Sequence, residues 1–237
     1  MSEHTAKAFD TDLQDLARMV AEMGGLAEKQ IADSVDALAR RDSTLAQRVI
    51  QLDPSIDSLQ HEIEEKAILT IARRQPMAVD LRETVGALRV SNDLERIGDL
   101  AKNIGKRVVA LDGEFHPVKV IRGVEHMADL VLGQLKDVLD AYARRDAAKA
   151  LAVWNGDEEF DAVNNSLFRE LLTYMMEDPR NITFCTHLLF CAKNIERMGD
   201  HATNIAETVY FMVEGRALGD ERPKGDTTSF ATMPFRN

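Results

Sequence analysis

Glu95-Arg96-Ile97-Gly98-Asp99-Leu100-Ala101-Lys102-Asn103-Ile104 returns later in the chain as Glu196-Arg197-Met198-Gly199-Asp200-His201-Ala202-Thr203-Asn204-Ile205. Seven of the ten positions are identical, and Glu95 and Glu196 stand 101 residues apart, which points to an internal duplication. The recurring residues make sense on a helix. Residues four apart are neighbours there, so Glu95, Asp99 and Asn103 fall in one column. Leu94, Ile97, Leu100, Ala101, Ile104 and Val108 cover the opposite face. Two stacked carboxylates repel by about a few tenths of a kcal/mol. A column kept in both copies against that repulsion asks for a positive partner.

Helical periodicity extends outward from these stretches. Residues 9–40 place Leu13, Leu16, Met19, Val20, Met23, Leu26, Ala27, Ile31, Val35 and Leu38 at spacings of three and four. Gly24-Gly25 weakens the middle of this helix and predicts a bend or a close packing contact. Asp42 or Ser43 can cap the next helix, which runs to about Arg74. Asp53-Pro54 makes that element either a short helix followed by a capped long one, or one kinked helix. A third helix is predicted from Pro76 to about Ala110, and Asp112-Gly113-Glu114-Phe115-His116-Pro117 reads as a linker.

The pattern then restarts. Val118 to Ala143 is amphipathic and ends in Ala143-Arg144-Arg145-Asp146, a repeat of Ala39-Arg40-Arg41-Asp42 at an offset of 104. The same offset pairs Asp157 with Asp53 and Asp161 with Asp57 on the following helix. Asp178-Pro179 ends that helix, and the last one spans about Asn181 to Glu214. No stretch carries the alternating, β-branched pattern of strands. The expected fold is all-α: six long helices in two tandem three-helix bundles, over residues 9–111 and 117–215. The tail 216–237, rich in Gly, Pro, Asp, Thr and Ser, is expected to be disordered.

With 45% hydrophobic and 29% charged residues, the 237-residue chain has the composition of a soluble protein. Its formal net charge of −11 argues against nucleic-acid binding, which needs a basic face. The acidity instead suits cations or basic partners. Cys185 and Cys191 have neither CxxC spacing nor a disulfide framework, which suits a reducing cytosol. The opening MSEHTAKAFDTDLQDL lacks the apolar core of a signal peptide. The run from Phe184 to Ala192 is too short to span a bilayer.

Several fragments in order resemble the PhoU family of phosphate-transport regulators. They are Met23-Gly24-Gly25, Ala72-Arg73-Arg74-Gln75-Pro76, Leu94 to Asp99, Leu172-Thr173-Tyr174-Met175-Met176-Glu177-Asp178, Phe190-Cys191-Ala192, and Ile195 to Asp200. The resemblance spans residues of about 9 to 214. It implies a pair of three-helix bundles in a cytoplasmic protein. It also implies negative control of the phosphate-starvation response, through a phosphate ABC transporter ATPase and a sensor histidine kinase. Family members can carry metal clusters on their ExxxD surfaces. A homodimer is expected, reaching the membrane only peripherally through its partners.

Carboxylates one helical turn apart can bracket a hard or borderline cation. In the first repeat the candidate ligands are Glu95 and Asp99, faced by Asp53 and Asp57 if the second helix runs antiparallel. In the second repeat they are Glu196 and Asp200, faced by Asp157 and Asp161. The expected ion is iron, zinc, manganese or magnesium. The plainer reading makes the columns solvated faces, with Arg96 and Arg197 pairing nearby, Asp53 an N-cap and Asp57 a first-turn acid. The repeats differ in charge: Lys102 and Lys106 flank the first column, Thr203 and Glu207 the second. The second surface is therefore expected to bind metal more tightly. His201 is matched by Leu100, so a histidine ligand shared by both repeats is excluded. His126 and His187 read as core or boundary residues, and Phe184, Phe190, Tyr210, Phe211 and the methionines read as core. There is no Glu-x-x-His pair, nucleophile motif or Gly-rich phosphate loop. A regulatory adaptor is thus the leading reading, not an enzyme. The alternatives are a metal-dependent hydrolase and a purely structural bundle.

Overall fold

A computed structural model describes residues 3–111, 118–156 and 158–219. Helix α1 spans Glu3–Arg40, α2 Ser43–Arg74 and α3 Val79–Ala110, and the three pack as a bundle. The second bundle is formed by α4 (Val118–Arg144), α5 (Ala147–Asn155), α6 (Glu158–Glu177) and α7 (Ile182–Glu214), with a 3-10 turn at Pro179–Asn181. No strand occurs among the described residues. The protein is all-α and duplicated, as its periodicity predicts.

The repeated Ala-Arg-Arg-Asp has one local cause in both copies. Arg41 and Arg145 take left-handed backbone, with φ of 59° and 53°. That reversal lets the Asp42 N–H reach the Ala37 carbonyl and the Asp146 N–H reach the Ala141 carbonyl, both at 2.9 Å, and closes each helix. Each aspartate then caps the next helix, Asp42 accepting from the Leu45 N–H and Asp146 from the Lys149 N–H, both at 2.9 Å. Helix α2 runs unbroken through Pro54, so the single-helix alternative is the one observed. Asp53 lies inside α2, where it cannot be an N-cap.

Three expectations need correction. Helix α3 begins at Val79, not Pro76, because left-handed Gln75 ends α2 by donating to the Ile71 carbonyl and Ala78 turns through φ 50°. The arm matching α2 in the second repeat is split at Gly156 into α5 and α6. Phe190 is 49% exposed, lying beneath the Arg107 guanidinium, and His126 is also exposed. Neither belongs to the core, and nor do exposed Met77 and Met176 or half-buried Tyr210 and Phe211. The predicted linker and most of the predicted tail lie outside the described residues.

The bundles pack against each other through α1 on α4 and α3 on α7, sharing one continuous apolar core. Helices α3 and α7 are antiparallel. Arg82, near the start of α3, donates to the Met212 carbonyl near the end of α7, whereas Arg107 lies 4.1 Å from the Phe190 ring near its start. Gly24 is the close contact its sequence foretold: a Cβ there would stand 2.7 Å from Leu139 Cδ1 on α4. The adjacent Gly25 meets nothing within 4 Å. Among the described residues, no helix is long and apolar enough to cross a membrane.

Candidate cation-binding surfaces

In the first repeat the inward face of α3 buries Leu94, Ile97, Leu100, Ala101 and Ile104, which turns Glu95 and Asp99 toward the rim shared with α2. Helix α2 brings Asp53 and Asp57 close enough for both charges to act on Glu95. The four candidate acids of this repeat therefore converge. Burial pushes the Glu95 carboxyl above its ordinary range, with Arg96 opposing the shift and Asp99, Asp57 and Asp53 adding to it.

The positive partner demanded by this column is a residue of the chain. Lys102 places its Nζ 2.5 Å from Asp53 Oδ2 on α2 and 2.5 Å from Asp99 Oδ1 on its own helix. Asp53 has a side chain only 7% exposed, so an unpaired charge there would be costly. Burial works against the ammonium, but its hydrogen bonds to Asp53 and Asp99 outweigh it and hold Lys102 well above the usual lysine range. Arg96 adds looser contacts, 3.4 Å from Glu95 and 3.5 Å from Asp99. The donor set of the first repeat therefore does not fit a metal ion: an ammonium already stands between its two best carboxylates.

The second repeat is built differently at the matching position. Thr203 replaces Lys102, is buried, and turns its hydroxyl back to donate to the Gly199 carbonyl at 3.0 Å. Glu196 is met at 2.7 Å by Lys193, a side chain 58% exposed and free to swing away. Glu207 accepts from the Trp154 indole N–H at 3.0 Å, which ties α7 to α5. Asp200 and Asp161 are half-buried, and Asp157 lies outside the described residues. Beside Glu196 and Lys193 a groove of about 470 Å³ opens between α6 and α7, lined also by Asn164, Phe168, Leu189 and Phe190. Among the described residues, no three His, Cys, Asp or Glu side chains are gathered closely enough to hold a metal by themselves.

Two features escaped the sequence reading. Asp93 of α3 meets His201 Nδ1 of α7 at 2.9 Å and accepts from Asn204 Nδ2 at 3.4 Å, which draws Asn204 away from its own column and across to the other repeat. Gln30 and Gln134, also 104 residues apart, each face a signature glycine. A Cβ on Gly98 would stand 2.9 Å from Gln30 Oε1, and one on Gly199 would stand 3.4 Å from Gln134 Oε1. The shared offset was the available signal for the glutamines. Nothing local could have paired Asp93 with His201.

Two copies of a three-helix bundle, each with an ExxxD column on its third arm, define a duplicated helical-bundle protein. A family model described as PhoU domain matches residues 20–108 and again residues 124–209. The chain belongs to the PhoU family. It is 61% identical over 226 residues to a phosphate-specific transport system accessory protein PhoU homolog of Rhizobium meliloti, covering 95% of each chain. A relative of the same description in Caulobacter vibrioides is 56% identical over 230 residues, covering 97% of this chain and 100% of the relative. The crystal structure of PhoU from Pseudomonas aeruginosa superposes with a TM-score of 0.81 at 40% identity, over 88% of this chain and 100% of that one. The phosphate transport system regulatory protein PhoU from Streptococcus pneumoniae superposes with the same TM-score, 0.81, at 28% identity, over 89% and 99%.

Proposed function

We propose that this protein is a negative regulator of the phosphate-starvation response and of phosphate uptake. It acts as a cytoplasmic adaptor that couples the ATPase of a phosphate ABC transporter to a sensor histidine kinase. The observation that carries this reading is the 61% identity over 95% of both chains with an accessory protein of phosphate-specific transport. Two antiparallel bundles sharing one core favour the role physically, because they make a rigid body with long helix faces on which two partners can dock. The protein works through these faces, as a homodimer, and not through catalysis. A metal taken up at the ExxxD surfaces would serve structure or partner contact rather than catalysis. Deletion of the gene tests the regulatory reading: alkaline phosphatase should rise in phosphate-rich medium, and unchanged expression would overturn it.

A further inference from the structure

The second repeat departs from the first in how its middle arm lies against the last helix. In the first, α2 presses so closely on α3 that a Cβ on Gly98 would stand 3.0 Å from Ile56 Cδ1. A Cβ on the matching Gly199 of α7 would meet only Gln134 and Val131 of α4 within 4 Å, and no described atom of α6. The arm is broken at Gly156 into α5 and α6, and the groove of about 470 Å³ opens between α6 and α7. Leu167, Phe168, Leu189, Phe190 and Ala192 form its apolar lining. Phe190 stays half exposed there even beneath the Arg107 guanidinium. One and two turns beyond Phe168 on α6, Leu172 and Met176 are exposed as well. Beyond Gly219 the sequence divides into two parts. Residues 220–229 carry no large apolar side chain, and Phe230, Met233 and Phe235 then follow within six positions.

We propose that the α6–α7 groove is a docking site for residues 230–235 of the same chain, with Phe230, Met233 and Phe235 seated in it and residues 220–229 as the tether. The tether starts where Leu218 packs onto the core just past the end of α7. From Glu214 the groove lies 18 to 28 residues back along that helix, at Glu196 to Thr186, which is about 27 to 42 Å at the helical rise. Eleven extended residues from Gly219 to Phe230 reach up to about 36 Å, and sixteen to Phe235 up to about 53 Å. The segment therefore reaches its own groove. Docking withdraws the groove wall and all three side chains from water together. Pro234 favours extended backbone at Met233, and side chains two apart then share a face, so Met233 and Phe235 enter side by side. Tethering makes the event intramolecular, at an effective concentration in about the millimolar range, so three apolar side chains suffice to hold it. Any protein that uses the α6–α7 face must first displace this segment. The contact stands whether or not the chain regulates phosphate uptake.

Cysteine cross-linking of the full chain tests the contact. Thr186→Cys in the groove is combined with Thr232→Cys in the docking segment and treated with a short bis-maleimide; Cys185 and Cys191 are buried and leave the new pair to react. A cross-link within one chain should form, read by gel mobility and peptide mass spectrometry. Adding F230S/M233S/F235S, which alters no residue of the folded core, should lower its yield by at least about tenfold. The same triple variant without cysteines should keep its helical circular dichroism and bind more of an apolar dye such as anilinonaphthalene sulfonate. Asn164→Cys on the α6 wall repeats the cross-link should Thr186→Cys fold poorly. Three results would each overturn the proposal. One is no cross-link from either groove position, and another is a yield unaffected by the serine substitutions, the mark of random collision. The third is a product made only of covalent dimers, which would assign the groove to a second copy of the chain.

Discussion

Replacing the two signature glycines by alanine should have opposite effects, although they occupy the same position in the repeated stretch. In either helix interior, Gly→Ala is favoured by about 1 kcal/mol through backbone entropy. At Gly98 the new methyl would lie 2.9 Å from Gln30 Oε1 and 3.0 Å from Ile56 Cδ1, inside ordinary contact distance. Neither neighbour can retreat into solvent, since Gln30 is 2% exposed and Ile56 is 1% exposed. Displacing Gln30 also breaks the bond its Nε2 donates to the Val49 carbonyl at 3.4 Å, and its Oε1 accepts none from the described residues. Overpacking of this kind costs about 1–3 kcal/mol, and the long hydrogen bond adds about 0.5 kcal/mol. The net effect of Gly98→Ala is a loss of about 1–2 kcal/mol. At Gly199 the nearest atoms, Gln134 Oε1 and Val131 Cγ2, would stand at 3.4 and 3.6 Å, which is normal packing. Gly199→Ala should therefore gain up to about 1 kcal/mol. In a protein of this size that separates the two melting temperatures by roughly 6 °C. Guanidinium unfolding followed by helical circular dichroism, with calorimetry for Tm, measures both variants. Equal shifts, or a Gly98→Ala protein at least as stable as the wild type, would refute the packing account.

Three further perturbations follow from the same geometry. Lys102→Met should destabilise by about 2 kcal/mol, because it strands the buried Asp53 carboxylate, and adding D53N should recover most of the loss in denaturant titrations. Burial holds Glu95 above the ordinary glutamate value of 4.5, so its ionisation opposes folding. That cost is complete above the raised folded-state value and gone below the unfolded one. Glu95→Gln should then exceed the wild type in stability at pH 7, with the gap closing as pH falls toward 4.5; a gap constant with pH would contradict the sign. Gln75 ends α2 with φ 50° and an exposed side chain, so Gln75→Gly should raise stability by about 0.5–1 kcal/mol, and Gln75→Val should lower it, as thermal melts would report.

Much of the architecture is legible in the primary structure because helical order is local. Spacings of three and four place Leu94, Ile97, Leu100, Ala101 and Ile104 on one face, and the structure buries all of them. The repeated Ala-Arg-Arg-Asp marks both first-helix ends, and Asp42 caps the following helix as its sequence allows. Boundaries fared worse where two local preferences compete. Pro76 suits a first helical turn, yet the left-handed Gln75 before it and Ala78 after it delay α3 to Val79. Phe190 is apolar and sits among core residues in sequence, but its direction on α7 faces Arg107 of the other repeat.

The candidate site divides in the same manner. By itself the sequence determined that carboxylates are stacked four apart in both repeats, that matching aspartates precede them at an offset of 104, and that lysine in one copy stands where threonine stands in the other. All of these are relations along a single helix or between equivalent positions. Only the tertiary structure decided that Lys102 spans from α3 to α2 and neutralises Asp53 together with Asp99, that Asn204 leaves its column for Asp93, and that Gly98 is crowded where Gly199 is not. The reason is physical. Periodicity specifies the direction a side chain takes from its own axis, whereas the partner it meets depends on the separation and stagger of neighbouring helices, which are set by the packing of side chains far apart in the chain.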